Sequence, residues 1–319
     1  MTETLAARKP LTGYHLKLIA LITMFIDHIG FVFFPQVHAL RVIGRVSFPI
    51  YAFLIAEGCR YSHDRTLYAL RLGLFALISE IPYDLALYPD YFKLGGLGRN
   101  FFEYTNVFYT LCMGVAAIQL FETLRRRSRK AQLAAVGGTV GFFVLLILLN
   151  IPNLLLYVPF VWFVGPVYVL ALLWWCRWME QRSGKNAWEK PGWLSNVLAF
   201  IPILLLLWET EVFMSSYGAF GVFIIFLVFL PKRRWMQCAV LALGMFYHYG
   251  WDALNTLLKG RPVLDGSYVL AKTVVAVAAA VLIYFAYNGQ RGKKAKWGFY
   301  AAYPAHLAIL AAIRAVLKV

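Results

Sequence analysis

The sequence predicts an all-α, polytopic integral membrane protein with about eleven transmembrane helices. Three observations predict it. The 319 residues are 61% hydrophobic and only 14% charged, where a soluble globular domain carries about 25% charged residues. Apolar runs of about the 20 residues needed to cross a bilayer recur along the whole chain. Basic residues gather in every second loop, as the positive-inside rule expects. That alternation puts the N-terminus in the cytoplasm and the C-terminus outside. No second domain or long linker is visible, so 1–319 reads as a single transmembrane domain.

Taken in order, the apolar runs cover about 15–34, 40–58, 67–88, 106–122, 131–150, 154–176, 195–208, 216–230, 236–257, 267–287 and 299–316. Pro49 removes a backbone donor and predicts a kink in the second. The cations at 60–65, 125–130, 177–190, 232–234 and 291–296 fall in alternate loops, whereas 35–39, 151–153 and 209–215 hold no Lys or Arg. Lys93, Arg99, Lys259 and Arg261 fit the alternation less cleanly. Glu209 and Glu211 are expected in a solvated outer loop. The first run lacks a small-residue cleavage site and is expected to be retained.

The net charge of +16 points to anionic lipid headgroups and not to nucleic acid. The four cysteines, Cys59, Cys112, Cys176 and Cys238, show no CxxC or zinc spacing. They read as buried packing residues.

The informative residues are the ionisable ones inside apolar runs. A charged side chain at the centre of a membrane helix costs about 2.5–3.5 kcal/mol on insertion scales. Asp27 and His28 interrupt the first run, and Arg45, Glu80, Asp84, His248, Asp252 and His306 lie in later ones. At 1.5 Å per residue, His28 sits about 16 Å beyond Lys17, near the bilayer centre, and on nearly the same helix face. Arg45 is a candidate partner for Asp27. Glu80 and Asp84 share a face one turn apart. His248, Asp252 and Asn255 form a stripe at i, i+4 and i+7. His306 follows Pro304 and is expected in the cytoplasmic half of the last span. His28, Arg45, Glu80, Asp84, His248 and Asp252 share one depth layer, which a single cavity requires. Each of these residues outside the first span reads about equally well as interhelical glue, since measured bonds of that kind average about 0.6 kcal/mol. Two ligands on one helix are a weak metal signal, and no metal is expected.

These residues sit in ordered motifs: LKLIALITMFIDHIGFVFFP from position 16, LRVIGRVSFPIYAFLIAEG from 40, and RLGLFALISEIPYDLA from 71. NVFYTLCMG at 106–114, YNGQRG at 287–292 and YPAHLAIL at 303–310 complete the set. In this order they resemble the TraX family of conjugal-transfer membrane proteins. Residues 125–235 carry no comparable motif. The resemblance implies a link to N-terminal acetylation of F-type pilin and a bacterial inner-membrane location. It also implies a distant similarity to transmembrane acyltransferases, in which cytosolic acetyl-CoA donates to an acceptor on the far side and an intramembrane His is catalytic. One branch of those enzymes carries Arg-x10-His in its first span, and Lys17 and His28 have that spacing.

The expectation is therefore an acetyl-CoA-dependent acetyltransferase of an amine or hydroxyl on a protein or glycan acceptor. His28 is the expected base, or the carrier of a covalent acetyl group. Asp27 orients partner groups or binds the acceptor ammonium. Arg45 stabilises the developing oxyanion or pairs with Asp27. Glu80, Asp84, His248, Asp252 and His306 are supporting candidates. Lys17, Arg60, Arg71 and Lys293 are candidates for the phosphates of acetyl-CoA. The competing expectations are a proton-coupled transporter, with the same intramembrane acids and histidines, and a non-catalytic pilus or envelope assembly factor.

Overall fold

The computed structural model describes residues 9–89, 104–148, 170–171, 173–179, 181, 191–212, 215–259 and 263–317. The chain divides into two compact units, one of Met1–Tyr61, Leu77–Phe92 and Leu227–Val319, the other of Ser62–Ala76 and Lys93–Phe226. Apart from one isolated bridge, the regular structure among the described residues is helical.

In the first unit, α1 (Gly13–Phe33) starts at Thr12, whose hydroxyl accepts from the His15 amide while His15 Nδ1 accepts from the Thr12 amide. This is a reciprocal cap with histidine where Glu or Gln is usual. The α1 start is also tied to the YNGQRG loop. Gly13 N donates to Gln290 O at 2.7 Å and Tyr14 N to Arg291 O at 3.0 Å. Leu11 forms a parallel bridge to Tyr287. Gly289 and Gly292 take positive φ, 84° and 73°, which only glycine adopts without strain.

A short turn at Pro35 returns the chain into α2 (His38–Gly44), and α3 (Ser47–Tyr61) follows. The kink expected at Pro49 appears instead as a break at Arg45–Val46, which leaves Pro49 in the first turn of α3 where its missing N–H is tolerated. Helix α1 packs on α2 through two glycines. A Cβ on Gly30 would lie 2.6 Å from Leu40 Cβ, and one on Gly44 would lie 2.3 Å from Asp27 Cβ. The second half of α4 (Arg65–Leu87) belongs to this unit. So do α10 (Arg234–Met245), a π turn (Phe246–Gly250), α11 (Trp251–Leu258), α12 (Val263–Ala286) and α13 (Lys296–Leu317). Helix α1 contacts α2, α3 and α13, and α12 contacts α2, α3 and α10.

The second unit centres on α5 (Val107–Leu124), which is buried almost along its whole length. Asn106 caps it, accepting from Phe108 N at 3.0 Å and donating to Ala76 O at 2.8 Å. Helices α7 (Trp193–Phe200) and α8 (Ile203–Val212) pack on α5, and α6 (Arg129–Leu148) packs on α7. The division between the two units falls within α9 (Gly218–Phe229), at Phe226–Leu227.

Among the described residues, six helical segments are long and apolar enough to cross a membrane: Gly13–Phe33, His38–Tyr61 (α2 with α3), Val107–Leu124, Trp193–Glu211 (α7 with α8), Gly266–Ala286 and Trp297–Leu317. The count of about eleven is thus not reached among the described residues. The run at 216–230 gives a 12-residue helix, about 18 Å long and shorter than the hydrocarbon core. The run at 67–88 forms a full helix, but Arg65, Arg71, Glu80 and Asp84 lower its hydropathy. The run at 154–176 lies mostly outside the described residues. Glu209 is not in a solvated loop: it is buried in α8 and accepts from Tyr109 OH at 3.1 Å. Glu211 is exposed and accepts from Ala219 N at 2.6 Å, capping α9. All four cysteines are free and buried.

Candidate functional site

Helices α1 and α13 begin at the same end of the first unit, because the YNGQRG loop is bonded to the start of α1. They run parallel and touch from Tyr14 to His28 on α1 and from Phe299 to His306 on α13. Tyr14 packs against Phe299 with ring centroids 5.6 Å apart, and Lys17 lies 5.8 Å over the Phe299 ring. Two turns further, Phe25 stacks on His306 at 4.2 Å. His28 then meets His306.

The two imidazoles are joined by a 2.7 Å contact from His28 Nδ1 to His306 Nε2. Their planes differ by 4° and their centroids are 5.0 Å apart. That centroid separation equals the N···N distance plus the two ring radii. The rings therefore lie edge to edge in one plane, which is the geometry of a straight N–H···N bond. His306 Nδ1 in turn lies 3.1 Å from Ala302 O, one turn back on α13. Tyr303 closes the side of the pair, 5.4 Å from His306 and 6.2 Å from His28. His306 is buried and His28 half-buried. No described hydrogen bond reaches His28 Nε2.

Asp27, one residue before, does not face the imidazole. Its Oδ2 takes Arg41 Nη1 and its Oδ1 takes Arg45 Nη2, both at 2.6 Å. Arg45 Nε also donates to Arg41 O at 3.0 Å. Arg41 lies 4.8 Å over the Phe31 ring. This ion cluster joins α1 to α2, and the absent side chain of Gly44 makes room for it. Of the two roles expected for Arg45, the structure contains the pairing with Asp27. Asp27, expected in the catalytic group, is held by two guanidiniums on α2 and its C-cap.

His306 was expected nearer the cytoplasm than His28. The structure puts them side by side. Ten residues from Lys296 to His306 rise about 15 Å, and eleven from Lys17 to His28 about 16 Å, so the helical rise itself carries the match. Arg41 is absent from the expected set, although its i, i+4 spacing with Arg45 is a signal that it shares that residue's face. Glu80 and Asp84 are buried on α4 in this unit, and Asp84 Oδ2 has no hydrogen bond. His248 is half-buried in the π turn, its ring against Tyr249 at 4.6 Å. That turn breaks the regular spacing on which the His248–Asp252–Asn255 stripe rests. The Asp252 side chain lies outside the described residues.

Among the expected phosphate-binding cations, Arg60 directs Nη2 to the carbonyls of Val228, Phe229 and Pro231 at the C-terminal end of α9. That is a favourable place for a cation, and it engages the guanidinium. Lys17 is half-buried, Lys293 is exposed, and Arg71 belongs to the second unit. A second polar knot joins Tyr287 OH to Glu57 Oε2 at 2.5 Å, with Arg234 Nη1 on Tyr287 O at 2.7 Å. Among the described residues, no three His, Cys, Asp or Glu side chains converge as metal ligands.

Helical structure among the described residues, six candidate membrane spans and a histidine pair between two of them define the class. Residues 12–180, just over half of the chain, match the family described as TraX protein. The chain belongs to that family. It is 29% identical over 113 residues to the probable fimbrial assembly protein FimC, serogroup H1, of Dichelobacter nodosus, covering 34% of this chain and 46% of that protein. It is 27% identical over 106 residues to the uncharacterized protein RP591 of Rickettsia prowazekii (strain Madrid E), covering 33% of this chain and 36% of that one. The matches thus span less than half the length of these relatives. No solved structure matches the chain.

Proposed function

We propose that this protein is a membrane-embedded acetyltransferase of the bacterial inner membrane. It takes the acetyl group of cytosolic acetyl-CoA and transfers it to an amine or hydroxyl of a protein or glycan acceptor at the membrane or its outer side. A pilin N-terminus or an envelope glycan is such an acceptor. The observation that carries this reading is the His28–His306 pair: a histidine on a membrane helix, aligned by a second ring, with one nitrogen left for an incoming group.

The chemistry assigned to the chain is proton handling. His28 takes the proton of the acceptor N–H or O–H as the acceptor lone pair forms a bond to the acetyl carbonyl carbon. The C–S bond breaks, and the leaving thiolate takes the proton from His28. General-base catalysis of this kind supplies about 10²–10⁴ in rate, and positioning of donor beside acceptor supplies much of the rest. Lys17 and Lys293 are the cations proposed to meet the donor phosphates. Asp27 is assigned to holding α2 against α1 and not to the reaction.

A second reading, a non-catalytic assembly factor, is favoured by one finding: the relative from Dichelobacter nodosus is named for fimbrial assembly. Transfer of radiolabelled acetyl from acetyl-CoA to a cell-envelope extract separates the two. His28→Ala is expected to abolish transfer while leaving expression and acetyl-CoA binding intact. Label transfer by the wild type that persists in His28→Ala refutes the mechanism. No transfer and no binding by the folded wild type leaves the assembly reading.

A further inference from the structure

We infer that His306 is a positioning residue that holds His28 in one tautomer, with the proton on Nδ1 and the lone pair on Nε2. The inference starts from a carbonyl. Ala302 O can only accept, so His306 Nδ1, 3.1 Å away, carries a proton. A neutral imidazole has a single N–H, so His306 Nε2 is the bare nitrogen. The 2.7 Å contact to His28 Nδ1 then requires the proton between them to belong to His28. With both rings neutral, His28 Nε2 is left as a lone pair. The polarity of one backbone carbonyl on α13 is thereby passed through two coplanar rings to α1.

Two further observations support the assignment. The carboxylate next to His28 in sequence is unable to orient it, because both Asp27 oxygens are held by Arg41 and Arg45 at 2.6 Å. The rings of Phe25 and Tyr303 flank His306 and limit its rotation. A neutral histidine thus does the work that a carboxylate does for the histidine of a hydrolase triad, fixing tautomer and direction. It does so without adding a buried anion to a membrane helix. When His28 Nε2 takes a proton, Nδ1–H continues to donate to His306 Nε2, now as a charge-assisted bond. His306 itself gains and loses nothing over the cycle.

The catalytic meaning of this arrangement rests on the acetyltransferase reading, whereas the tautomer does not. The test therefore has two readouts. The first is the ¹⁵N spectrum of histidine-labelled protein in detergent, with His28 assigned by its loss in His28→Gln. The wild type is expected to show His28 protonated on Nδ1. His306→Leu should move it to the Nε2-protonated form that a free histidine side chain prefers. His306→Gln, which returns an amide oxygen as acceptor, should keep the Nδ1 form. The second readout is steady-state acetyl transfer. His306→Leu is expected to lower kcat about 10²-fold or more, with KM for the donor changed less than kcat, and His306→Gln to recover part of the loss. His28 found protonated on Nε2 in the wild type overturns the inference, whatever the activity. A His306→Leu protein that keeps wild-type kcat also overturns it. If His306→Leu fails to fold, the wild-type and His306→Gln spectra still decide. The expected tautomer in a folded protein that transfers no acetyl supports His306 as the orienting ring and refutes the acetyltransferase reading alone.

Discussion

Gly44→Ala tests a close approach between α1 and α2. An added Cβ would lie 2.3 Å from Asp27 Cβ and Oδ1 and 2.5 Å from Cγ, against 3.4 Å where ordinary contact begins. The gap to be opened is 3.4 − 2.3, about 1.1 Å. Asp27 has no free direction to yield. Its Cβ moves only with the α1 backbone, and its carboxylate is held at both oxygens by 2.6 Å ion pairs. Either α2 moves away or a pair breaks. Overpacking costs about 1–3 kcal/mol, and a bond to a charged group contributes about 1.5–3 kcal/mol. The two overlap, since relief of one is the loss of the other, so the net expectation is about 2–4 kcal/mol. Thermal unfolding of the purified protein in detergent should show a midpoint lower by about 5 °C or more. Gly137→Ala is the control. Its Cβ meets nothing within 4 Å, and it should be neutral or stabilise by up to about 1 kcal/mol. Gly44→Ala melting with the wild type would refute the α1–α2 contact and, with it, the placement of the Asp27 cluster.

Asp27→Asn should lower stability by about 2–4 kcal/mol, because it leaves two guanidiniums facing an amide in a largely buried site; an unchanged unfolding midpoint would count against the cluster. Asn106→Ala removes a helix cap and leaves Ala76 O without its 2.8 Å donor, so a loss of about 2–3 kcal/mol is expected from the same melts. Arg60→Gln should loosen the end of α9 without weakening acetyl-CoA binding, whereas Lys17→Glu or Lys293→Glu should weaken it; calorimetry returning the opposite order would restore Arg60 as a donor ligand. Topology reporters fused after residues 129 and 318 should report opposite compartments, and two cytoplasmic signals would end the N-in, C-out arrangement.

The class of fold was legible because lipid imposes a coarse rule: apolar runs become helices. The continuity of each helix was not, because hydropathy cannot tell a run that becomes one straight helix from one that breaks. The 40–58 run divides at Arg45–Val46, where the guanidinium of Arg45 turns to Asp27. The run near 248 contains a π turn, which no periodicity announces. In the site, the Asp27–Arg45 pair was legible as opposite charges in neighbouring apolar runs. The His28–His306 contact was hidden by counting depth along separate helices without a common origin. The YNGQRG loop supplies that origin by joining the starts of α1 and α13 through backbone bonds, which side-chain identities do not encode. The bonds from Arg60 to the carbonyls at the end of α9 were hidden in the same way, since nothing in the sequence brings position 60 beside 228–231.

The parallel bridge between Leu11 and Tyr287 and the histidine contact across 278 positions also set an order of biogenesis. Helix α1 is the first described span to leave the ribosome, yet the partners of its first turn and of His28 are made only in the last tenth of the chain. Until then α1 can enter the lipid and pair with α2, since Asp27, Arg41 and Arg45 are neighbours in sequence. Its histidine waits with an unsatisfied ring. Contacts so distant along a chain are slow to form, so maturation of the site is a late event distinct from membrane insertion. A quality-control protease acting on the inserted but unclosed bundle would meet α1 with its start untied. Synthesis halted before α13 would give a protein that is membrane-bound, partly packed and without its histidine pair.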